Sequence, residues 1–182
     1  GVNMEKQNLF AGLKGSVQID HMLRSLYQQT SHFSSMADHK ANIILGASFL
    51  IFTLTLNMLQ KGEYSYSLIA LTFFSIISSF FAIIATMPSI QYGKDSSFKP
   101  NEINPLFFGS FHRINQDEYL KLMSEFLRSE EKMYEAMVKD IYNSGLVLQR
   151  KKFFYLGISY RIFMAGLILS FIGSMLEYIT LK

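Results

Sequence analysis

The chain has 182 residues, of which 49% are hydrophobic, and it carries a net charge of +3 and no cysteine. The absence of cysteine excludes a disulfide framework and any thiolate metal site. Because the net charge is small and basic residues alternate with acidic ones, nucleic acid is not a predicted partner.

The N-terminal part of the chain is predicted to form one long helix that enters a membrane. Residues 1–15 are largely polar and are expected to be a flexible N-terminus, and the first 40 residues contain no apolar core of a secretory signal. Apolar positions then recur at helical spacing with no Pro or Gly before residue 42, which predicts a cytoplasmic stalk helix over residues 16–40. The uncharged run at residues 41–60 is long enough to cross a bilayer, for which about 20 apolar residues suffice. We therefore expect one helix over residues 17–60 whose second half is the first transmembrane segment.

A second apolar segment and a long loop follow. The second transmembrane segment is predicted over residues 67–87, after a short turn that contains Gly62. The three prolines of the chain all fall within residues 88–105, so residues 88–115 are predicted to form an irregular cytoplasmic loop. Loops of this length are often functional.

The C-terminal part is predicted to be helical throughout. Asn115 and Ser129 read as N-caps, Asn115 with Glu118 three residues on, so cytoplasmic helices are expected over residues 116–152. Residues 153–180 are predicted to form the third transmembrane segment. No β pattern occurs. The predicted fold class is an all-α membrane protein with three transmembrane helices, two of them extended as cytoplasmic stalk helices, plus a short cytoplasmic helix.

The positions of the basic residues predict the orientation in the membrane. Of the 17 Lys and Arg residues, four precede the apolar run of the first span and eleven, with Arg161 the last, lie between the apolar runs of the second and third spans. The positive-inside rule therefore predicts that the N-terminus and the central segment are cytoplasmic and that the C-terminus lies outside.

The predicted spans contain little chemistry of their own. Their apolar runs contain no Asp, Glu, Lys or His, which argues against a proton-coupled transporter. Small residues recur at every fourth position and predict close helix packing, either of the three spans within one subunit or of subunits in a homo-oligomer. The residues assigned to this packing are Ser75, Ser79, Gly166, Ser170 and Ser174.

No catalytic or metal site is predicted. The histidines His21, His32 and His39 are about 16 Å and 10 Å apart along one helix, too far for one ion, so no metal or other cofactor is expected. The chain has no P-loop, no dinucleotide fingerprint and no Ser/His/Asp arrangement that can be placed, so it is not expected to be an enzyme.

Basic residues near the third span have several possible partners. Residues 150–152 are all basic and are expected to bind anionic lipid head groups, with a phosphate-bearing ligand as the alternative. Arg161 lies deeper and is expected either to snorkel or to pair with Asp38, Asp140 or Glu135.

Short motifs around the spans resemble a known family. They are residues 36–42 (Met-Ala-Asp-His-Lys-Ala-Asn), residues 104–109 (Asn-Pro-Leu-Phe-Phe-Gly), residues 117–119 (Asp-Glu-Tyr), residues 140–142 (Asp-Ile-Tyr) and residues 150–152. In this order, over about residues 30–178, they resemble the transmembrane effectors of Pycsar antiphage systems.

The resemblance implies a function in antiviral defence at the bacterial inner membrane. In such systems a pyrimidine cyclase makes cyclic CMP or cyclic UMP during infection, and the effector senses that nucleotide and impairs membrane integrity, which causes abortive infection. The expected partners are thus the lipid bilayer, a cyclic pyrimidine nucleotide and, functionally, the cyclase. The alternative is a partner-gated channel subunit or membrane scaffold that does not itself bind nucleotide.

A cyclic nucleotide bound by such an effector needs a cation for its phosphate and an aromatic face for its base. The chain has no separate nucleotide-binding barrel, so the pocket is expected in its cytoplasmic helical part. The alternative is that the aromatic loop only packs against the stalk and anchors at the lipid surface. The ligand-binding residues hypothesised on these grounds are Asp38, Lys40, Phe107, Phe108, Arg113, Tyr142 and Lys152.

Overall fold

The structure, a computed structural model, describes residue 10 and residues 12–62, 64–87, 104–107 and 114–180. These residues form five α-helices and one π-helical turn, and no strand is found among them. The elements are α1 (Val17–Gln60), α2 (Tyr66–Thr86), α3 (Gln116–Leu127), α4 (Glu130–Val147), the π turn (Leu148–Phe153) and α5 (Phe154–Thr180). The predicted all-α fold class is confirmed. Most of the predicted flexible N-terminus and of the predicted loop over residues 88–115 lies outside the described residues.

Two long helical runs account for most of the chain. Helix α1 is unbroken over 44 residues, as its lack of proline predicts, and is about 66 Å long at ~1.5 Å per residue. A second run over Glu130–Thr180 is helical throughout, with the π turn inside it. These two runs and α2 are each long and apolar enough to cross a membrane. The chain is therefore a membrane protein, as predicted.

The helices begin at the predicted caps. The Asn115 side chain accepts a hydrogen bond from the Glu118 amide at 2.9 Å, and the Ser129 hydroxyl accepts one from the Lys132 amide at 3.4 Å. Ser65 caps α2 in the same way, accepting from the Leu68 amide at 3.3 Å. Each cap satisfies an amide that the first helical turn leaves without an intrahelical partner.

The chain divides into two compact units. The head unit comprises Gly1–Ser31 and Ser89–Val147, and the span unit comprises His32–Pro88 and Leu148–Lys182. The chain passes from one unit to the other inside α1 and again at the start of the π turn.

The head unit has a small apolar core around α4. Leu23 from α1 and Tyr134 from α4 are both buried, and the Tyr134 hydroxyl donates to the Asp20 carboxylate at 2.8 Å. That hydrogen bond, which is lost when the phenol ionises, raises the pKa of Tyr134. Buried Asn104 donates to the Ala136 carbonyl at 2.8 Å and so fixes the short segment over residues 104–107 against α4.

The span unit has an interior of small and hydroxyl-bearing side chains and an apolar surface. Its buried cluster consists of Ala37, Ala41, Ile44, Ala82, Ala85 and Leu156. Large apolar side chains point outward instead, and Phe49, Phe73 and Phe171 are each more than 60% exposed. Small residues inside and large apolar residues outside are the arrangement expected of helices that pack together within lipid.

Candidate functional site

The head unit contains a cavity of about 640 Å³. Its wall is formed by one face each of α1, α3 and α4, together with Pro105 and Leu106. Most of this wall is apolar, and α3 contributes Met123, Phe126 and Leu127. A concave, mainly apolar site of this size with few polar groups is typical of small-molecule binding sites.

The polar side of the cavity comes from a single face of α1. Arg24, Tyr27 and Gln28 have the i, i+3, i+4 spacing that places side chains together on one helix face, and all three line the cavity. All three are exposed, so they stand where the cavity meets solvent. The Arg24 guanidinium makes no ion pair or hydrogen bond to any other described residue. A cation without a partner is thus available at the mouth of the cavity.

Asp140 is the buried polar residue of the cavity wall. It lies on α4, is only 3% exposed, and its carboxyl group has no hydrogen-bond or ion-pair partner within the described part of the chain. Burial disfavours the ionised form and raises the pKa of Asp140 above its ordinary value. Most buried polar groups have a hydrogen-bond partner, so a carboxyl group without one is unusual.

The hypothesised ligand-binding residues occupy several different places. Asp38 and Lys152 lie in the span unit and form an ion pair, with Lys152 Nζ 2.7 Å from each Asp38 oxygen and 2.8 Å from Ser34 Oγ. Lys40 is exposed, and its carbonyl accepts from the Tyr160 hydroxyl at 3.3 Å.

The remaining hypothesised residues belong to the head unit. Phe107 is half-buried and Tyr142 is 64% exposed, whereas Phe108 and Arg113 lie outside the described residues. None of the described members of the set lines the cavity. Their role in ligand binding therefore stays a prediction.

Sequence reasoning missed the cavity residues on α1. The i, i+3, i+4 spacing of Arg24, Tyr27 and Gln28 was the available signal, because it places a cation, an aromatic ring and an amide on one face. The sequence predicts Asp140 as a possible partner for Arg161 and as part of the Asp-Ile-Tyr motif, but not as a ligand-binding residue. Arg161 is exposed and makes no ion pair to a described acidic residue, and Lys152 pairs with Asp38 instead.

The basic residues of the π turn contact the span unit's other helices. Lys151 Nζ donates to the Met87 carbonyl at the end of α2 at 2.8 Å, while Lys152 contacts α1 as described. Arg150 is exposed. Two of the three cations therefore bind protein groups, whereas Arg150 makes no hydrogen bond or ion pair within the part of the chain that the structure describes.

The small residues of the span unit lie where α2 and α5 approach each other. A Cβ atom added to Gly166 would lie 2.4 Å from Phe74 Cβ, so the two helices are in contact at this point. Ser75 and Ser170 are buried in the same unit, and the buried Ser79 hydroxyl has no hydrogen-bond partner. Ser174, by contrast, is exposed.

Gly173 also lies close to α2. Two helical turns beyond Gly166 is a step of seven residues, which reaches Gly173, and a Cβ atom added there would lie 2.8 Å from Ser67 Oγ. In addition, the Ser78 and Ser159 hydroxyls lie 3.0 Å apart and each donates to the other residue's carbonyl, at 2.7 and 2.8 Å. These bonds join α2 to α5 within one chain.

Fold and cavity together define a class: an all-α membrane protein with a ligand-sized cavity outside its spans. Comparison with known families narrows this class. The family described as the Pycsar effector protein domain matches residues 22–177, which include the cavity-lining residues and nearly all of the three spans. The chain belongs to this family, as its motifs predicted, and its role is that of an antiphage effector. The family is one of transmembrane effectors and is not a known enzyme family. No curated protein and no solved structure matches the chain.

Proposed function

We propose that this protein senses cyclic CMP or cyclic UMP and then impairs the bacterial inner membrane, so that the infected cell stops growing. The observation that carries the proposal is the match to the Pycsar effector protein domain, which covers parts of both units. A signal-dependent effector needs an input region and an output region. The head unit offers a ligand-sized cavity, and the span unit offers three membrane-spanning segments.

The distribution of charge supports an orientation with the head unit in the cytoplasm. Fifteen of the 17 basic residues fall before the apolar run of the first span or between the apolar runs of the second and third. Under the positive-inside rule, this distribution favours a cytoplasmic position for those segments and a periplasmic C-terminus. The head unit then faces the compartment into which a pyrimidine cyclase would release its product.

Continuous helices supply a route from input to output. The chain passes from the head unit to the span unit within α1 and again at the π turn between α4 and α5. We propose that ligand binding selects one arrangement of the head-unit helices and that these backbones carry the change into the membrane. A π turn inside a helix is a common feature of functional sites.

Self-association of the span unit is the proposed form of the damage. The outward-facing side chains of the span unit are mostly large and apolar, and many of its hydroxyl groups, such as those of Ser78 and Ser159, are buried. A single subunit with this surface is suited to lipid and does not by itself provide a water-lined path. We therefore propose that a homo-oligomer disturbs the bilayer, with the subunit as described here as its building block.

The test is leakage from liposomes that contain the purified full chain. A trapped dye should be released after addition of cyclic CMP or cyclic UMP, and it should be retained with cyclic AMP, with the linear monophosphates, or in liposomes without protein. Cross-linking in the same samples should show larger species only when the active nucleotide is present.

Two results would contradict the proposal. Leakage that is independent of every nucleotide would indicate a channel subunit or scaffold whose gating depends on a partner protein. Absence of leakage together with absence of nucleotide binding would remove the sensing role altogether.

A further inference from the structure

Arg24 and Asp140 carry opposite charges at two different depths of the head-unit cavity. Among the described residues, Arg24 at the exposed side has no anionic partner, and Asp140 in the wall, which is 97% buried, has no hydrogen-bond donor. If the two groups paired with each other, each would be satisfied, yet no ion pair joins them. The cavity is therefore matched to a ligand with an anion at one end and N–H donors at the other.

We infer that this cavity is the binding site for the cyclic pyrimidine mononucleotide, with Arg24 on the cyclic phosphate and Asp140 accepting from the base. The identity of the ligand rests on the function proposed above, and the location of the site rests on the cavity. It differs from the site hypothesised around residues 107–113, none of whose described members line this cavity.

The chemistry of each end fits the ligand. A guanidinium binds phosphate oxygens through charge-assisted hydrogen bonds, and an exposed Arg24 can adjust to the cyclic diester. Cytosine presents its N4 amino group and uracil its N3–H, so either base can donate to the Asp140 carboxylate. The cyclic phosphate, in turn, is kept apart from Asp140 because like charges repel.

The middle of the cavity fits the flat ring between these ends. Tyr27 and Phe126 both line it, and aromatic faces pack favourably against nucleobases. Gln28 adds an amide that can both donate and accept at the ribose or the base. A volume of about 640 Å³ is within the range of small-molecule sites.

The buried carboxyl also predicts how binding depends on pH. A base N–H donor favours the ionised form of Asp140, whose pKa is raised by burial in the free protein. The other titratable groups that line the cavity are Arg24 and Tyr27 on α1, since α3 and the rest of α4 contribute only apolar side chains. Because the base donates to the ionised carboxylate, affinity should fall as Asp140 becomes protonated at acidic pH.

Binding of cyclic CMP and cyclic UMP to the full chain in lipid nanodiscs tests this placement. Arg24→Gln and Asp140→Asn should each weaken binding of the active nucleotide by about tenfold or more, because each removes a charge-assisted hydrogen bond. Gln28→Trp should also weaken it, because the larger side chain stands in the mouth of the cavity while the exposed position spares the core.

Matched controls separate the site from general charge effects. Arg128→Gln removes the same side chain from an exposed position outside the cavity, and Glu125→Gln removes an exposed carboxylate in the same unit. Both should bind nucleotide as the unaltered chain does. In Asp140→Asn the fall in affinity at acidic pH should also disappear, which a merely structural role would not produce.

The outcomes distinguish this inference from the proposed function. If the unaltered chain binds nucleotide while Arg24→Gln, Asp140→Asn and Gln28→Trp bind it equally well, the site lies elsewhere and the sensing function stands. If the unaltered chain binds neither pyrimidine nucleotide, the proposed function fails. Equal binding of cyclic AMP would overturn the assignment of a pyrimidine to this cavity.

Discussion

The two units of this protein have opposite interiors. In the head unit, apolar side chains such as Leu23 line the core, and the buried Asp140 carboxyl has no hydrogen-bond partner among the described residues. In the span unit, the buried side chains are largely small or hydroxyl-bearing, and phenylalanines such as Phe49 and Phe171 face outward.

The difference follows from the solvent around each unit. In water, burying apolar surface drives folding, so large apolar residues belong inside. In lipid the surroundings are as apolar as leucine, so helices associate through close packing and interhelical hydrogen bonds between small residues. The Thr55 and Thr72 hydroxyls, 2.6 Å apart between α1 and α2, are one such bond. A buried carboxyl that lines a cavity of the head unit, with no partner among the described residues, therefore points to function. The hydroxyls inside the span unit point to packing, even though those of Ser67, Ser75 and Ser79 also lack a hydrogen-bond partner.

Of the substitutions considered, that of Gly166 should have the largest effect on stability, because it disturbs the close packing inside the span unit. Gly166→Leu places a side chain where even a Cβ atom would lie 2.4 Å from Phe74 Cβ, so α2 and α5 must move apart. Overpacking of this kind costs about 1–3 kcal/mol or more. We expect a clear drop in the apparent melting temperature, followed by circular dichroism in detergent micelles.

Gly157 provides the matched control on the same helix. A Cβ atom added there meets no atom within 4 Å, so Gly157→Leu should leave the melting temperature unchanged or raise it slightly through better helix propensity. Equal destabilisation by the two substitutions would mean that Gly166 is not a packing contact.

Substitution of Asp140 should change the stability by less than substitution of Gly166, and in the opposite direction. Because its pKa in the folded protein is above the ordinary value of 3.8, the folded state binds a proton more readily than the unfolded state. Its contribution to stability is therefore most favourable at low pH and is lost as the pH rises through the folded-state pKa. Asp140→Asn should stabilise the protein at neutral pH by about 1 kcal/mol, since it removes a buried charge that has no partner.

The measurement is the difference in unfolding free energy between Asp140→Asn and the unaltered chain across pH. The difference should shrink as the pH is lowered toward 3.8, where both side chains are neutral. Destabilisation by the amide at neutral pH would mean that the carboxylate has a partner. A variant that is more stable and yet binds nucleotide less well is the pattern expected of a functional group.

The long helices were predictable because their signals are local in sequence. Uncharged runs, the three clustered prolines and the caps at Asn115 and Ser129 each act within a few residues, and the helices begin and end close to the positions they predict. Ser174 shows where a local pattern stops being informative. A step of four residues continues a stripe along an isolated helix, but α5 contacts α2 at steps of four and three, so Gly173 faces α2 and Ser174 is exposed. Packing of Ser174 between subunits stays a prediction.

The cavity was not predictable in the same way. Arg24 and Asp140 are far apart in sequence, and they line the same cavity only because α1 packs against α4. Nothing local distinguishes Asp140 from a surface acid, because a charge every few residues is ordinary in a cytoplasmic helix. Burial is what identifies Asp140 as a candidate ligand-binding residue, and burial is a property of the folded unit.

Loss of the ion pair between Asp38 and Lys152 should have the smallest effect on the stability of the protein. Lys152 is 19% exposed and Asp38 is 42% exposed, so water screens the pair, and pairs of this kind contribute roughly 0–1 kcal/mol. Lys152→Ala should lower the melting temperature only slightly, and so should Asp38→Ala. In a double-mutant cycle the two substitutions should be coupled by less than about 1 kcal/mol.

Nucleotide binding in the same variants gives this pair its second readout. If the head-unit cavity is the ligand site, Lys152→Ala should bind cyclic CMP or cyclic UMP with unchanged affinity, because Lys152 lines no part of that cavity. Of the two functional measurements, nucleotide binding and dye leakage, Lys152→Ala should change only dye leakage. The reason is that Lys152 joins the π turn to α1 through Asp38 and Ser34. A loss of affinity as large as that of Arg24→Gln would instead favour the binding site first hypothesised from the sequence. The pair thus tests whether the membrane-side cations hold the helices together or bind the signal.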